Sequence, residues 1–154
     1  MVEKDQAADA PPSTPTKAAQ FSDVCKENYP VVAELFRKYG WLKTSEFGDQ
    51  AASDFWLLSA HQADAHPEFA QKELAGMQKA VSESEANAAT YALFYDSVAE
   101  AHGRPQHWGT KTVCEGGQRR LYPVDDIEGL ARRRDEALLS PEASYISDLP
   151  ACSK

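Results

Sequence analysis

The chain has 154 residues, enough for one domain with a real core, and its 42% hydrophobic and 26% charged residues are ordinary for a globular protein. A net charge of −8 excludes a general nucleic-acid or anionic-membrane binder, since both need a positive surface, and it favours a basic protein partner. No apolar run is long enough to span a bilayer, and MVEKDQAADA lacks the hydrophobic stretch of a signal peptide.

Residues 1–20, MVEKDQAADAPPSTPTKAAQ, contain one Val and no aromatic. Such a composition buries too little surface to offset the entropy of ordering, so a disordered arm is expected over 1–20. A single globular domain follows over 21–149, with a tail at 150–154. Arms of this kind tether exported domains. A periplasmic or envelope-tethered location, reached by a leader outside this sequence, is therefore favoured slightly over the cytoplasm.

In NYPVVAELFRKYG, Asn28 suits a helix cap and Pro30 a first turn, where a missing N–H costs nothing. Val32, Leu35, Phe36 and Tyr39 recur at helical spacing before a stop at Gly40. WLKTSEFGDQ is a connector, with Trp41 plugging the core from its edge. A second helix is predicted over 51–64, with Phe55, Leu58 and Gln62 on its apolar face. A third starts at Pro67 and carries Ala70, Leu74, Met77 and Val81 as its stripe. SESEAN breaks the pattern, with Ser84 as a candidate cap, and a fourth helix buries Ala88, Tyr91, Ala92, Tyr95, Val98 and Ala99 before ending at His102-Gly103.

TKTVCEGGQRRLYPV then holds two β-prone runs around Gly116-Gly117, a hairpin signal. Asp125 or Asp126 caps a short basic helix, DIEGLARRRDEALL, whose Arg132, Arg133 and Arg134 read as a solvated face. Tyr145, Ile146 and Leu149 are available to dock the tail. The expected fold is mainly α, about four or five packed helices with one C-terminal two-stranded β-hairpin.

Four segments, YGW at 39–41, FGDQAA at 47–52, AHQAD at 60–64 and QHWGTKT at 106–112, share an order and spacing with a known pattern. Over about residues 20–146 the chain resembles a family of small uncharacterised bacterial domains that reads Y-G-W-P, V-G-x-x-A, Q-H-A-D, D-R and Q-x-Y-G-T-Q. The resemblance implies a mostly helical domain and transfers no activity. The chain departs from the pattern at Leu42, at Ser97 after Asp96, at Lys111, and at His61-Gln62, which inverts the family's Gln-His order. One helix position is a rotation of about 100°, so Gln62 takes the buried side and His61 points elsewhere.

The chemistry-bearing residues support several readings. His61, His66, His102 and His107 show no zinc spacing, so no metal and no cofactor is expected. Cys25, Cys114 and Cys152 have no paired spacing; free thiols are favoured, with one disulfide as the alternative in an oxidising compartment. No nucleophile motif surrounds a serine, and GTKT lacks phosphate-loop spacing. A general acid–base site would draw on His107, Asp96, Asp64 and Arg119 or Arg120. The leading expectation is a non-catalytic protein-binding domain whose hairpin and flanking loop form the docking surface, in the manner of an immunity or inhibitor protein that neutralises a secreted toxin. The alternative is an enzyme or small-ligand binder. The candidate residues for either role are Gln62, Asp96, Gln106, His107, Trp108, Thr110 and Lys111.

Overall fold

The structure is a computed structural model that describes residues 1–10 and 14–152. It is mainly helical, with eight helices among the described residues and one C-terminal antiparallel hairpin, so it has the expected class with more helices than the expected four or five. The extra helices are short or lie where no helix is expected. No helix among the described residues is long and apolar enough to cross a membrane. The chain divides into two compact units, Met1–Ala86 and Asn87–Lys154.

In the first unit, α1 (Val2–Asp9) and α2 (Pro15–Tyr39) occupy most of the region expected to be a disordered arm; residues 11–13 lie outside the described residues. A polar anchor holds α1 in place of an apolar stripe. Its one buried residue is Asp5, whose carboxylate accepts from Asn28 Nδ2 at 3.1 Å and meets His61 Nδ1. Asn28 is therefore a buried partner within α2 and caps nothing. The helix starts fifteen residues before the expected Pro30: Thr14 Oγ1 accepts from Lys17 N, and Pro15 takes the first turn. Pro30 sits inside α2, where it forgoes one backbone bond.

Short α3 (Thr44–Phe47) leads into α4 (Asp49–Ala60). The predicted second helix extends to 64, but α4 stops at Ala60 and residues 61–65 form a turn. α5 (Pro67–Ser82) starts at the predicted proline and buries Ala70, Leu74 and Met77. With Val32, Phe55 and Leu58, and with Trp41 stacked edge-on to Phe55, these form the apolar core of this unit.

The second unit opens with α6 (Ala88–Ala101). Asn87, not Ser84, caps it, accepting from Thr90 N at 3.1 Å; Ser84 instead adopts a left-handed φ of 60° in the break. β1 (Thr112–Glu115) pairs with β2 (Gln118–Leu121) across Gly116-Gly117, Thr112 opposite Leu121 and Glu115 opposite Gln118. α7 (Leu130–Glu136) and α8 (Glu142–Asp148) follow. The favoured reading of free thiols is corrected for one pair: Cys114 and Cys152, 38 residues apart, form a disulfide that ties the tail to β1, and Arg119 reinforces it by donating to Pro150 O. Distance in sequence hid this pair. Cys25 is free and buried, and burial pushes its thiol up to about 11.

Candidate functional site

The segment from Gln106 to Lys111 turns the chain from α6 into β1, and its geometry starts from one buried carboxylate. Asp96, on α6, is fully buried. An unpaired carboxylate there would be costly, and the loop supplies the donors. His107 N (2.7 Å) donates to Oδ1, Trp108 N is shared between both oxygens, and Thr110 donates to Oδ2 through N (3.0 Å) and Oγ1 (2.9 Å).

The Gln106 side chain closes the base of the same turn. Its Oε1 accepts from Lys111 N at 2.7 Å, and its Nε2 donates to Lys111 O and Tyr122 O. Its backbone bridges to the 122–125 segment, donating to Pro123 O and accepting from Asp125 N. Gly109 has φ of 64°, and a Cβ there would stand 3.2 Å from a Leu130 methyl, so both conformation and space call for glycine.

The carbonyls of the loop point the other way and meet two arginines. Arg133 Nε donates to His107 O at 2.8 Å, while Arg134 Nη1 donates to Trp108 O (2.7 Å) and Gly109 O (2.9 Å). Tyr145, on α8, donates its hydroxyl to Thr110 O at 2.7 Å, and Lys111 O accepts from Tyr122 N. Each carbonyl from Gln106 to Lys111 thus has a donor. The solvated face expected for the Arg132–Arg134 run is correct only for Arg132, which pairs with Glu136 in solvent; Arg133 and Arg134 are buried.

A sequence signal for this existed. Leu130, Arg133, Arg134 and Ala137 fall at i, i+3, i+4 and i+7, the spacing of a buried stripe, and all four are buried. Triple-arginine composition obscured it. Arg133 also holds Asp126 Oδ2 at 2.8 Å, Asp126 O and Asp125, so its charge is balanced at the edge of the loop.

Six of the seven sequence candidates therefore come together in this unit: Asp96, Gln106, His107, Trp108, Thr110 and Lys111. Lys111 acts here through its backbone, its N–H donating to Gln106 Oε1 and its carbonyl accepting from Gln106 Nε2. Gln62 belongs to the first unit. It is fully buried, as the spacing suggests, but its Nε2 donates to Cys25 O at 3.2 Å and its Oε1 has no protein donor among the described residues. His61 turns instead to Asp5 and, edge-on, to Phe21.

What the loop leaves outward is aromatic. Trp108 stacks edge-on against Tyr91, Tyr95 and His107 at centroid distances of 5.7, 5.0 and 4.5 Å. Tyr91 and Tyr95, expected in the core, are half-buried, and Phe94 and Asp96 join the expected Ala92 and Val98 at the deepest positions of α6. His107 Nδ1 lies 2.7 Å from Asp125 Oδ2, with a third of the histidine side chain exposed. Among the described residues, no group of three or more His, Cys, Asp or Glu is placed to hold a metal ion. In comparisons with known proteins, no family model, no curated protein and no solved structure matches the chain.

Proposed function

We propose that the chain is a non-catalytic binding domain for a protein partner, with the outer face of the 106–111 loop and the hairpin as its docking surface. The observation that carries this reading is the saturation of the loop. A loop built to greet substrate keeps polar groups free for it; here Asp96, Gln106 and Thr110 are spent on the turn itself. The remaining surface is a half-buried Trp–Tyr–His cluster, with the aromatic chemistry that dominates protein interfaces. The net charge of −8 favours a basic partner.

An immunity or inhibitor protein that neutralises a secreted toxin fits these properties. The Cys114–Cys152 disulfide supports an oxidising compartment and hence a periplasmic or envelope-tethered location. The resemblance to the small bacterial domains belongs to the same proposal: the pattern's Asp, Gln, Gly and Thr positions coincide with Asp96, Gln106, Gly109 and Thr110, which read as a device for keeping the turn.

The test is calorimetric titration of the purified protein with the products of genes flanking its own. One tight complex is expected, weakened about tenfold or more by Trp108→Ala. Absence of binding by every flanking product at micromolar concentration overturns the reading.

The His107–Asp125 pair favours a second reading. A carboxylate on Nδ1 fixes the tautomer and leaves Nε2 as a base, the arrangement of a general acid–base catalyst. Hydrolysis of a panel of chromogenic esters and phosphates, abolished in His107→Gln, is the result this reading requires; a rate that the variant leaves unchanged removes it.

A further inference from the structure

The segment after α7 breaks a backbone preference without any return to the fold. Leu138 follows the helix end with φ of 58°, in the left-handed region where glycine or asparagine is ordinary and a branched apolar residue is strained. The turn itself is sound: Leu138 N donates to Asp135 O and Leu139 N to Arg134 O. Glycine would make the same bonds without the strain. The leucine side chain is 84% exposed, so burial does not compensate the conformation either. Ile127, 60% exposed, is the second large aliphatic residue presented to solvent in this unit.

The residue that follows Leu138, Leu139, lines a groove of about 330 Å³ together with Ile127, Leu130 and Ala131, and Asp135 and Glu142 belong to the same lining. Arg134 also lines it, but its guanidinium is turned inward to Ser140 O, Trp108 O and Gly109 O. Two acidic residues against one inward-turned guanidinium leave the lining net negative, in a chain that is itself strongly acidic.

We propose that this groove, flanked by Leu138, is the seat of a partner-protein segment that inserts an aliphatic side chain flanked by lysine or arginine. The inference rests on the reading of the chain as a protein-binding domain and names the chemistry of the segment it takes. The apolar walls take the side chain, Leu138 and Ile127 close over it, and Asp135 and Glu142 meet the flanking cations.

The probe is a fluorescein-labelled amphipathic peptide built of leucine and lysine, compared by anisotropy with the same leucine frame carrying glutamate. Saturable micromolar binding of the lysine peptide alone is expected. It should weaken about tenfold in Leu138→Gly and again in Asp135→Asn with Glu142→Gln. Leu138→Gly keeps every charge, and its Tm should equal or exceed that of the parent because strain is relieved, so weaker binding in a variant at least as stable cannot arise from misfolding.

Three results overturn the proposal. They are undiminished peptide binding in Leu138→Gly, no saturable binding at all, or a parent protein that sediments as a dimer which Leu138→Gly dissociates, making a second copy the occupant. Failure of the broader reading looks different. A flanking gene product whose binding depends on Trp108, with no saturable peptide binding, leaves that reading standing and removes the groove. A peptide that needs Leu138, with no flanking product bound, does the reverse.

Discussion

The two units differ in how completely their buried polar groups are satisfied, although the first also holds one fully partnered carboxylate, Asp5. In the second, Asp96 and Gln106 are fully buried, yet both oxygens of the carboxylate and both ends of the amide are hydrogen-bonded, and Arg133 and Arg134 cap the loop's carbonyls. In the first, Gln62 Oε1 and Glu73 Oε2 are buried without a protein donor among the described residues, and burial pushes the Glu73 carboxyl up to about 8 even though Ser59 donates to its other oxygen. A saturated network specifies one geometry and resists change. A partly satisfied one leaves stability hostage to protonation.

The sharpest way to break this contrast is to remove the centre of the saturated network. Asp96→Ala leaves three loop amides and a hydroxyl unpaired in a buried setting, and should destabilise the second unit by about 3–5 kcal/mol. Urea unfolding followed through Trp108 fluorescence, with Trp41 and Trp56 replaced by Phe in both proteins compared, measures it. A loss below about 1 kcal/mol would mean that the turn holds without its carboxylate.

Opening the disulfide comes next. Cys114→Ser with Cys152→Ser should cost about 2–4 kcal/mol, because the bond closes a long loop in the unfolded chain. Thermal melts of the variant should match those of the parent in a reducing agent, and a parent insensitive to reduction contradicts the expected contribution.

An effect of another kind, one that appears only as pH changes, belongs to Glu73. Its folded value of about 8 lies above the ordinary 4.5, so the folded state holds the proton more tightly than the unfolded state. The associated stability is complete below about pH 4.5, falls by at most about 1.4 kcal/mol per pH unit as pH rises toward 8, and is flat above. Glu73→Gln, which keeps the shape and cannot ionise, should flatten that slope and raise Tm at pH 8 relative to the parent. An unchanged pH profile would place the titration elsewhere.

At the small end stands Lys111→Gln, which replaces the lysine by an amide. Lys111 enters the turn through its N–H and carbonyl, so stability should change by no more than about 0.5 kcal/mol in the same urea assay. A larger change would assign the side chain a role that the backbone bonds do not express.

Much of the fold was legible because local chemistry settles it. Pro67 at a first turn, Gly40 and Gly103 after helix ends, and Gly116-Gly117 between β-prone runs act through their own backbone preferences, and each element stands where those residues put it. Ala70, Leu74 and Met77 of the predicted stripe are buried for the same reason, since spacing makes one apolar face, while Val81 at its end is half-buried and Ala80 takes the buried position. Helix α1 was not legible in composition, which measures apolar burial, whereas α1 is held by one buried carboxylate on Asn28 and His61, partners 23 and 56 residues away.

The candidate site divides along the same line. QHWGTKT is recognisable as a turn with chemistry-bearing residues, and sequence alone determined which residues those are. Whether they are free to act was decided only in three dimensions. Asp96 lies ten residues before the loop begins, Arg133 and Arg134 more than twenty after it, and Tyr145 further still. A hydrogen bond is made between positions in space, and periodicity reports only which way a side chain faces along its own helix. The sequence by itself thus determined helices, hairpin and the polar character of the loop; the tertiary structure decided that its polar groups are spent on one another.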